Sequence, residues 1–112
     1  MNEVIERARA MGADVETGLK RCVGKEDLYV ELIGTALNDK NFDELKEKVS
    51  SKDVTGAFEA AHGLKGVLQN LCLDPLASEL SRVTEILREG NLPEEEDMDV
   101  VEKQREEYMK IL

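Results

Sequence analysis

Residues 60–66 bring together a nucleophile, a cation and a position without a side chain. His62, the single histidine of the chain, precedes Lys65 by three residues and Gly66 by four. In a helix, residues at these spacings lie on one face, so the three would share one patch of surface. A neutral imidazole is a nucleophile near physiological pH, and the neighbouring ammonium could hold a transferred phosphoryl group. The spacing therefore predicts a histidine suited to carrying a charged group.

A plainer interpretation must be weighed against this one, because a lone histidine on a helix is most often an ordinary surface or half-buried residue. Two glycines favour a functional role. Gly63 and Gly66 both fall inside the predicted helix, where each costs about 1 kcal/mol relative to alanine. Gly66 has an explanation, since the missing Cβ lets a partner approach the imidazole. For Gly63, the only explanation that the sequence suggests is close packing against another helix.

The composition is typical of one helical domain. The chain has 112 residues, which suits a single hydrophobic core, and we expect one domain over residues 1–112. With no Trp, two Phe and two Tyr, the core must be built from Leu, Val, Ile and Ala. The 25 acidic and 15 basic residues give a formal net charge of −10. Such a chain is repelled by nucleic acid and by anionic membranes, so neither is an expected partner.

Cysteine spacing and the hydropathy pattern limit the possible cellular location and the possible metal sites. Cys22 and Cys72 do not form a Cys-x-x-Cys motif, and no signal peptide or membrane-spanning stretch is evident. We therefore expect a cytoplasmic protein with free thiols. Glu59 and His62 form a Glu-x-x-His pair, as in di-iron bundles, but the pair occurs once. We predict no metal site.

Start and stop signals divide the chain into helices, and no run alternates as a strand would. The predicted segments are 2–10, 14–21, 26–37, 42–51, 54–71, 75–89 and 94 to the C-terminus. The predicted caps are Asp53, Asp74 before Pro75, Asn41 in a capping box with Glu44, and Gly90 after the sixth helix.

Each long segment carries an apolar stripe, and short links place successive helices antiparallel. In the segment 26–37 the predicted stripe consists of Leu28, Leu32, Ile33, Ala36 and Leu37. The sequence thus predicts an all-α fold, an up-and-down antiparallel four-helix bundle with short N-terminal helices packed at one end.

A helical wheel places the candidate site at the edge of this core. His62 falls roughly 120° from the centre of the apolar cluster of its own helix. Glu59, Gly66 and Gln69 share its flank, and Lys65 lies between that flank and the core. We expect the imidazole to be exposed.

Taken together, these segments resemble the histidine-containing phosphotransfer (HPt) domain. Residues 14–19 look like the opening turn of that family, residues 26–32 are similar to its first bundle helix, and residues 53–71 resemble its phosphoacceptor helix. The family's His-x-Leu-Lys-Gly pattern falls on residues 62–66. The chain departs from the family at Val67 and Leu68, where small residues are usual, and at Cys72, where the family often turns with glycine.

The resemblance implies a phosphorelay carrier. His62 would accept a phosphoryl group from a receiver-domain aspartate and pass it to another receiver, acting between a hybrid sensor histidine kinase and a response regulator. Lys65 would offset the charge of the phosphoryl oxygens, while Gly66, Gln69 and Glu59 would lie in the docking surface. The family needs no cofactor, ATP site or metal of its own. We expect a monomeric carrier and not an enzyme.

Two other function classes stand beside the carrier. A helical docking module could bind receiver domains or other signalling partners without being phosphorylated. An enzyme fits less well, because the sequence has no Ser/His/Asp set, no glycine-rich phosphate loop and no second histidine for a metal.

Overall fold

Seven helices account for most of the chain in the computed structural model, which describes residues 2–112. They are α1 (Glu3–Ala10), α2 (Val15–Arg21), α3 (Glu26–Leu37), α4 (Asn41–Ser50), α5 (Val54–Asn70), α6 (Asp74–Arg88) and α7 (Glu95–Met109). No strand forms within these residues. The predicted all-α class is confirmed, and each predicted segment matches one helix to within a few residues. None of these described helices is both long and apolar enough to cross a membrane.

Two of the predicted caps are confirmed. Asp53 precedes α5, and its Oδ1 accepts a hydrogen bond of 2.9 Å from the Gly56 backbone N–H. This bond satisfies a donor that the first turn of a helix leaves without a backbone partner. Gly90 follows α6 with φ +87°, a left-handed conformation that glycine adopts without steric cost.

The other two predicted caps are wrong, each by a short distance. Asn41 is the first residue of α4, after Lys40 at the N-cap position, and its side chain makes no cap. Instead, Asp39 Oδ1 accepts a hydrogen bond of 2.8 Å from the N–H of Asn41, the first helical residue. The turn that ends α5 leads directly into α6, so Leu73 takes the N-cap position. Asp74 is therefore already the first helical residue.

That turn places a cysteine in an unusual backbone conformation. Cys72 has φ +59°, and its N–H donates to the Gln69 carbonyl at 3.0 Å. The following Leu73 N–H donates to the Leu68 carbonyl, also at 3.0 Å. This is the paired hydrogen-bond pattern that commonly closes a helix around a left-handed glycine. The resemblance implied a glycine-type turn here, and the chain makes it with a buried cysteine.

Helix α5 is at the centre of the packing. It lies mainly against α4 on one side and α6 on the other, while α6 also packs on α7, and α7 on α3. Together these helices form a bundle around one continuous apolar core. Helix α5 contributes small residues and leucines to that core: Ala57, Ala60, Ala61, Leu64 and Leu68.

The predicted stripe of α3 is wrong at two of its five positions. Leu28 and Leu32 are 39% and 38% exposed, whereas Tyr29 and Ile33 are completely buried. The Tyr29 hydroxyl donates a buried hydrogen bond of 2.7 Å to the Leu71 carbonyl at the end of α5. Because this bond turns the tyrosine inward, the two leucines are rotated toward solvent.

The N-terminal helices pack where α5 ends. Arg21, the last residue of α2, donates from Nη1 to the carbonyls of Gln69 and Asn70, each at 3.0 Å. The Asp14 N–H donates to the Cys72 carbonyl at 3.0 Å. These donors satisfy carbonyl groups that the last turn of a helix leaves unpaired. The N-terminal segment therefore fixes the C-terminal end of α5.

Close approach of α2 to α3 depends on one glycine. A Cβ at Gly18 would lie 2.5 Å from the Cζ and Oη atoms of Tyr29, well inside contact distance. Any larger residue would displace the tyrosine ring and its bond to Leu71. Gly18 is thus the steric condition for the hydrogen bond that orients α3.

The two tyrosines offer a matched test of buried hydroxyl groups. Tyr29→Phe is expected to lower the free energy of unfolding by about 1–3 kcal/mol, because the Leu71 carbonyl loses its partner. Tyr108 is equally buried, but its hydroxyl is without a hydrogen-bond partner within residues 2–112, and burial raises its pKa to about 12. Tyr108→Phe should therefore leave stability unchanged or raise it. Urea unfolding of both variants measures the difference, and an equal loss in both would contradict the assigned role of Tyr29.

Candidate functional site

His62 lies on the solvent-exposed strip of α5, as predicted. The imidazole is exposed, whereas Ala61 and Leu64 on the opposite side are completely buried. Within residues 2–112 the ring makes no hydrogen bond and no ion pair. It stacks instead on Phe58, one turn earlier, with ring centroids 5.7 Å apart and planes inclined by 11°. Both ring nitrogens are thus free of protein partners among the described residues.

Lys65 and Gly66 lie one turn beyond His62, on the two sides of its position. Side chains on a helix lean toward its N-terminus, so residues at i+3 and i+4 project over the level of residue i. The Lys65 side chain is half-buried, and its ammonium forms no ion pair within the described part of the chain. At Gly66 an added Cβ would have no neighbouring atom within 4 Å. The surface beside the imidazole is therefore open.

The two remaining predicted site residues, Glu59 and Gln69, lie on the same exposed face of α5. Glu59 is exposed and lines a polar groove between α4 and α5, together with Lys40, Lys48 and Asp53. Gln69 is exposed in the last turn of α5. At seven residues from His62, it is about 10 Å away along the helix axis. Gln69 therefore belongs to the surrounding surface more than to the immediate site.

Gly63 lies outside this strip and faces α4. A Cβ at this position would be 3.5 Å from Asn41 Nδ2, an ordinary contact distance. Packing would therefore accept alanine, and nothing in the structure explains the glycine.

Sequence reasoning missed a contact that reaches the site from α6. The Arg88 guanidinium lies over the Phe58 ring at 5.5 Å from its centroid, and Arg88 also forms an ion pair of 3.1 Å with Glu85. Phe58 itself is only half-buried. The available signal was the position of Phe58 four residues before His62, a spacing at which side chains meet.

An apolar groove runs between α3 and the C-terminal part of α5. Its lining includes Leu32 and Val67, which are 38% and 36% exposed, together with the buried Leu71. Leu28 precedes Leu32 by one helical turn and extends the exposed apolar surface along α3. Val67 thus lies next to α3 while keeping part of its surface in solvent.

Titratable groups near the site do not converge on a metal position. Among residues 2–112, no three His, Cys, Asp or Glu side chains are close enough together to hold a metal ion. Cys22 and Cys72 are both buried and unpaired with each other, and burial raises the pKa of the Cys72 thiol. The chemistry of the site therefore rests on the imidazole and the groups beside it.

Fold and site together define an all-helical module that displays one histidine to solvent from its central helix. The sequence model of the Hpt domain matches residues 28–108. Because this match covers most of the chain, the protein belongs to the Hpt domain family, whose members are phosphocarrier modules of phosphorelays. Neither the search of curated proteins nor that of solved structures found a match. The match begins within α3, so α1 and α2 lie outside it.

Proposed function

We propose that this chain is a phosphorelay carrier in which His62 accepts a phosphoryl group from a receiver-domain aspartyl phosphate and passes it to a second receiver. The observation that carries the proposal is the exposed imidazole on α5, whose two nitrogens have no partner among residues 2–112, within a chain of the Hpt family. In the transfer, the N–P bond would form as the P–O bond of the acyl phosphate breaks and the aspartate leaves as a carboxylate. Nε2 is the attacking nitrogen that the family resemblance implies.

Phosphoryl transfer depends mainly on positioning and on stabilising charge. Lys65 supplies a cation one turn from His62, and its ammonium has no competing ion pair among residues 2–112. The open surface at Gly66 gives a partner domain access to the ring. A receiver would bring its own acidic pocket and Mg²⁺. This chain would contribute the nucleophile, one cation and an open surface for docking. A hybrid sensor histidine kinase and a response regulator are the partners proposed on either side.

The exposed face also suits docking. The apolar groove between α3 and α5 offers Leu32 and Val67, with Leu28 further along α3, as contact surface. Glu59 and Gln69 would border the docked domain. This groove is the one observation that favours the second candidate, a module that binds receivers or other signalling proteins without being phosphorylated.

The arrangement of the chain is part of the proposal. Residues 1–112 would form one domain with an up-and-down four-helix bundle. The four helices of this bundle would be α4, α5, α6 and α7, and α3 would extend the position of α4. We propose a cytoplasmic monomer that needs no ATP site, metal or cofactor of its own. Mass measurement in solution tests the monomer.

Phosphorylation of His62 is tested with a phosphorylated receiver domain and Mg²⁺. The wild-type chain is expected to acquire an acid-labile, base-stable label, as a phosphoramidate does, and His62→Gln is expected to acquire none. Because the chain has one histidine, no other phosphohistidine can form in the variant. Label that persists in His62→Gln would place the acceptor elsewhere. Absence of label on the wild type with several receivers would favour the docking module.

The role of Lys65 is tested by Lys65→Ala. Transfer is expected to slow roughly two- to fivefold, the range of one partly solvated charge contact, while the free energy of unfolding stays nearly unchanged. The matched control is Lys103→Ala on α7, which removes the same charge from an exposed position. Equal slowing in both variants would mean that net charge, and not the place of Lys65, governs the rate. Unfolding of Lys65→Ala would show a structural role instead.

The two glycines of α5 form a second matched pair. Gly63→Ala and Gly66→Ala should each raise the free energy of unfolding by about 0.5–1 kcal/mol, because alanine is the better helix former. Transfer should fall only when the substitution is at Gly66, and should fall further in Gly66→Gln, whose side chain covers more of the imidazole. Single-turnover rates and urea unfolding separate the two effects. A rate for Gly66→Gln equal to that of the wild type would remove the proposed need for open space.

A further inference from the structure

The ring of Phe58 stacks on the imidazole of His62. The planes are nearly parallel, at 11°, with centroids 5.7 Å apart, which is within the range of offset-stacked aromatic pairs. The helix itself produces this arrangement. A side chain leans back toward the N-terminus, so the ring of residue i+4 comes to lie over residue i.

A contact through the face of the ring has a chemical consequence. Histidines in catalytic sites are usually oriented by a hydrogen bond to one nitrogen, which uses that nitrogen. A stacking partner restrains the plane of the ring and leaves the edge, with both nitrogens, available. Such a restraint suits a histidine whose attacking nitrogen must meet an incoming phosphorus in a fixed direction.

Phe58 is itself held from a second helix. The Arg88 guanidinium lies over the Phe58 ring at 5.5 Å, a cation–π distance. Arg88 is the last residue of α6, directly before the turn at Glu89 and Gly90, and the groove around it is lined by Val54, Phe58 and Leu87. The orientation of the phenylalanine, and through it that of the imidazole, is thus tied to the end of α6.

We infer that Phe58 is a positioning residue that holds His62 ready for phosphoryl transfer, with Arg88 fixing the phenylalanine in turn. This inference rests on the proposed function. In the step it serves, the Nε2 lone pair forms the N–P bond while the electrons of the P–O bond leave with the aspartate carboxylate, and the Nδ1 proton stays on the ring. Phe58 touches none of the reacting atoms and acts through the imidazole.

The test combines kinetics with nuclear magnetic resonance on the intact chain. Phe58→Leu keeps an apolar side chain but removes the aromatic face. At saturating phosphorylated receiver, its single-turnover rate is expected to fall roughly three- to tenfold, while the receiver concentration at half-maximal rate is unchanged. Phe58→Tyr, which retains an aromatic ring, should keep the wild-type rate. Since His62 is the one histidine, its carbon-bound ring protons are identified directly, and they should lose an upfield ring-current shift in Phe58→Leu and keep it in Phe58→Tyr.

The chain supplies a matched control in its other phenylalanine. Phe42 also lies under an arginine, with the Arg105 guanidinium 4.5 Å from its ring centroid, but it faces α7 and lines the cavity between α4 and α7. Phe42→Leu therefore removes an aromatic ring and a cation–π contact without touching the histidine. It is expected to lower stability and to leave both the transfer rate constant and the His62 ring protons unchanged.

Several outcomes would overturn the inference. A Phe58→Leu rate equal to that of the wild type, or ring protons of His62 that do not move, would show that the stack does not position the imidazole. A change in half-saturation alone would make Phe58 a docking contact. Failure of the proposed function is distinguishable, because the wild type would then take no label at all. Failure of the inference alone leaves wild type and Phe58→Leu labelled at the same rate.

Discussion

The buried hydrogen bond from Tyr29 to the Leu71 carbonyl joins the first third of the chain to the end of the central helix. It requires a glycine at position 18, since any Cβ there would overlap the tyrosine ring. It also sets the rotation of α3, which exposes Leu28 and Leu32. Arg21 adds two hydrogen bonds to the same end of α5. The apolar groove between α3 and α5 is therefore a consequence of the hydrogen bonds that satisfy the C-terminal end of α5.

The central helix has to serve two surfaces at once. Its buried side uses alanine at positions 57, 60 and 61, all nearly or completely inaccessible, so that α4 and α6 can approach closely. Its exposed side keeps His62 and Gly66 in solvent. Because α5 packs between α4 and α6 and is capped at both ends, the imidazole projects from a rigid helix. Sites built on packed helices hold their geometry better than sites on loops.

Much of this arrangement could be predicted from the sequence, and the errors have a common cause. Helix bounds and the exposure of His62 follow from local signals, namely caps, glycines and apolar spacing, that need no knowledge of neighbouring helices. The rotation of α3 does not, because its apolar pattern fits two orientations and the choice depends on a hydrogen bond to a residue 42 positions away. Phe58 shows the same limit, since its contact with Arg88 joins α5 to the end of α6.

Charge on the histidine face has to be judged locally and not from the whole chain. The formal net charge of −10 would by itself disfavour an incoming phosphoryl group. At physiological ionic strength, however, exposed charges are screened beyond about 8 Å, so the groups within one or two turns of His62 set the potential that a phosphoryl group meets. Lys65 lies one turn away without an ion pair in the described chain, and Arg88 reaches the Phe58 ring on which the imidazole stacks. Arg88 is paired with Glu85, and the exposed Glu59 also lies one turn from His62. The charge that a phosphoryl group meets at His62 is therefore set by Lys65 and Glu59, and not by the acidic residues elsewhere in the chain.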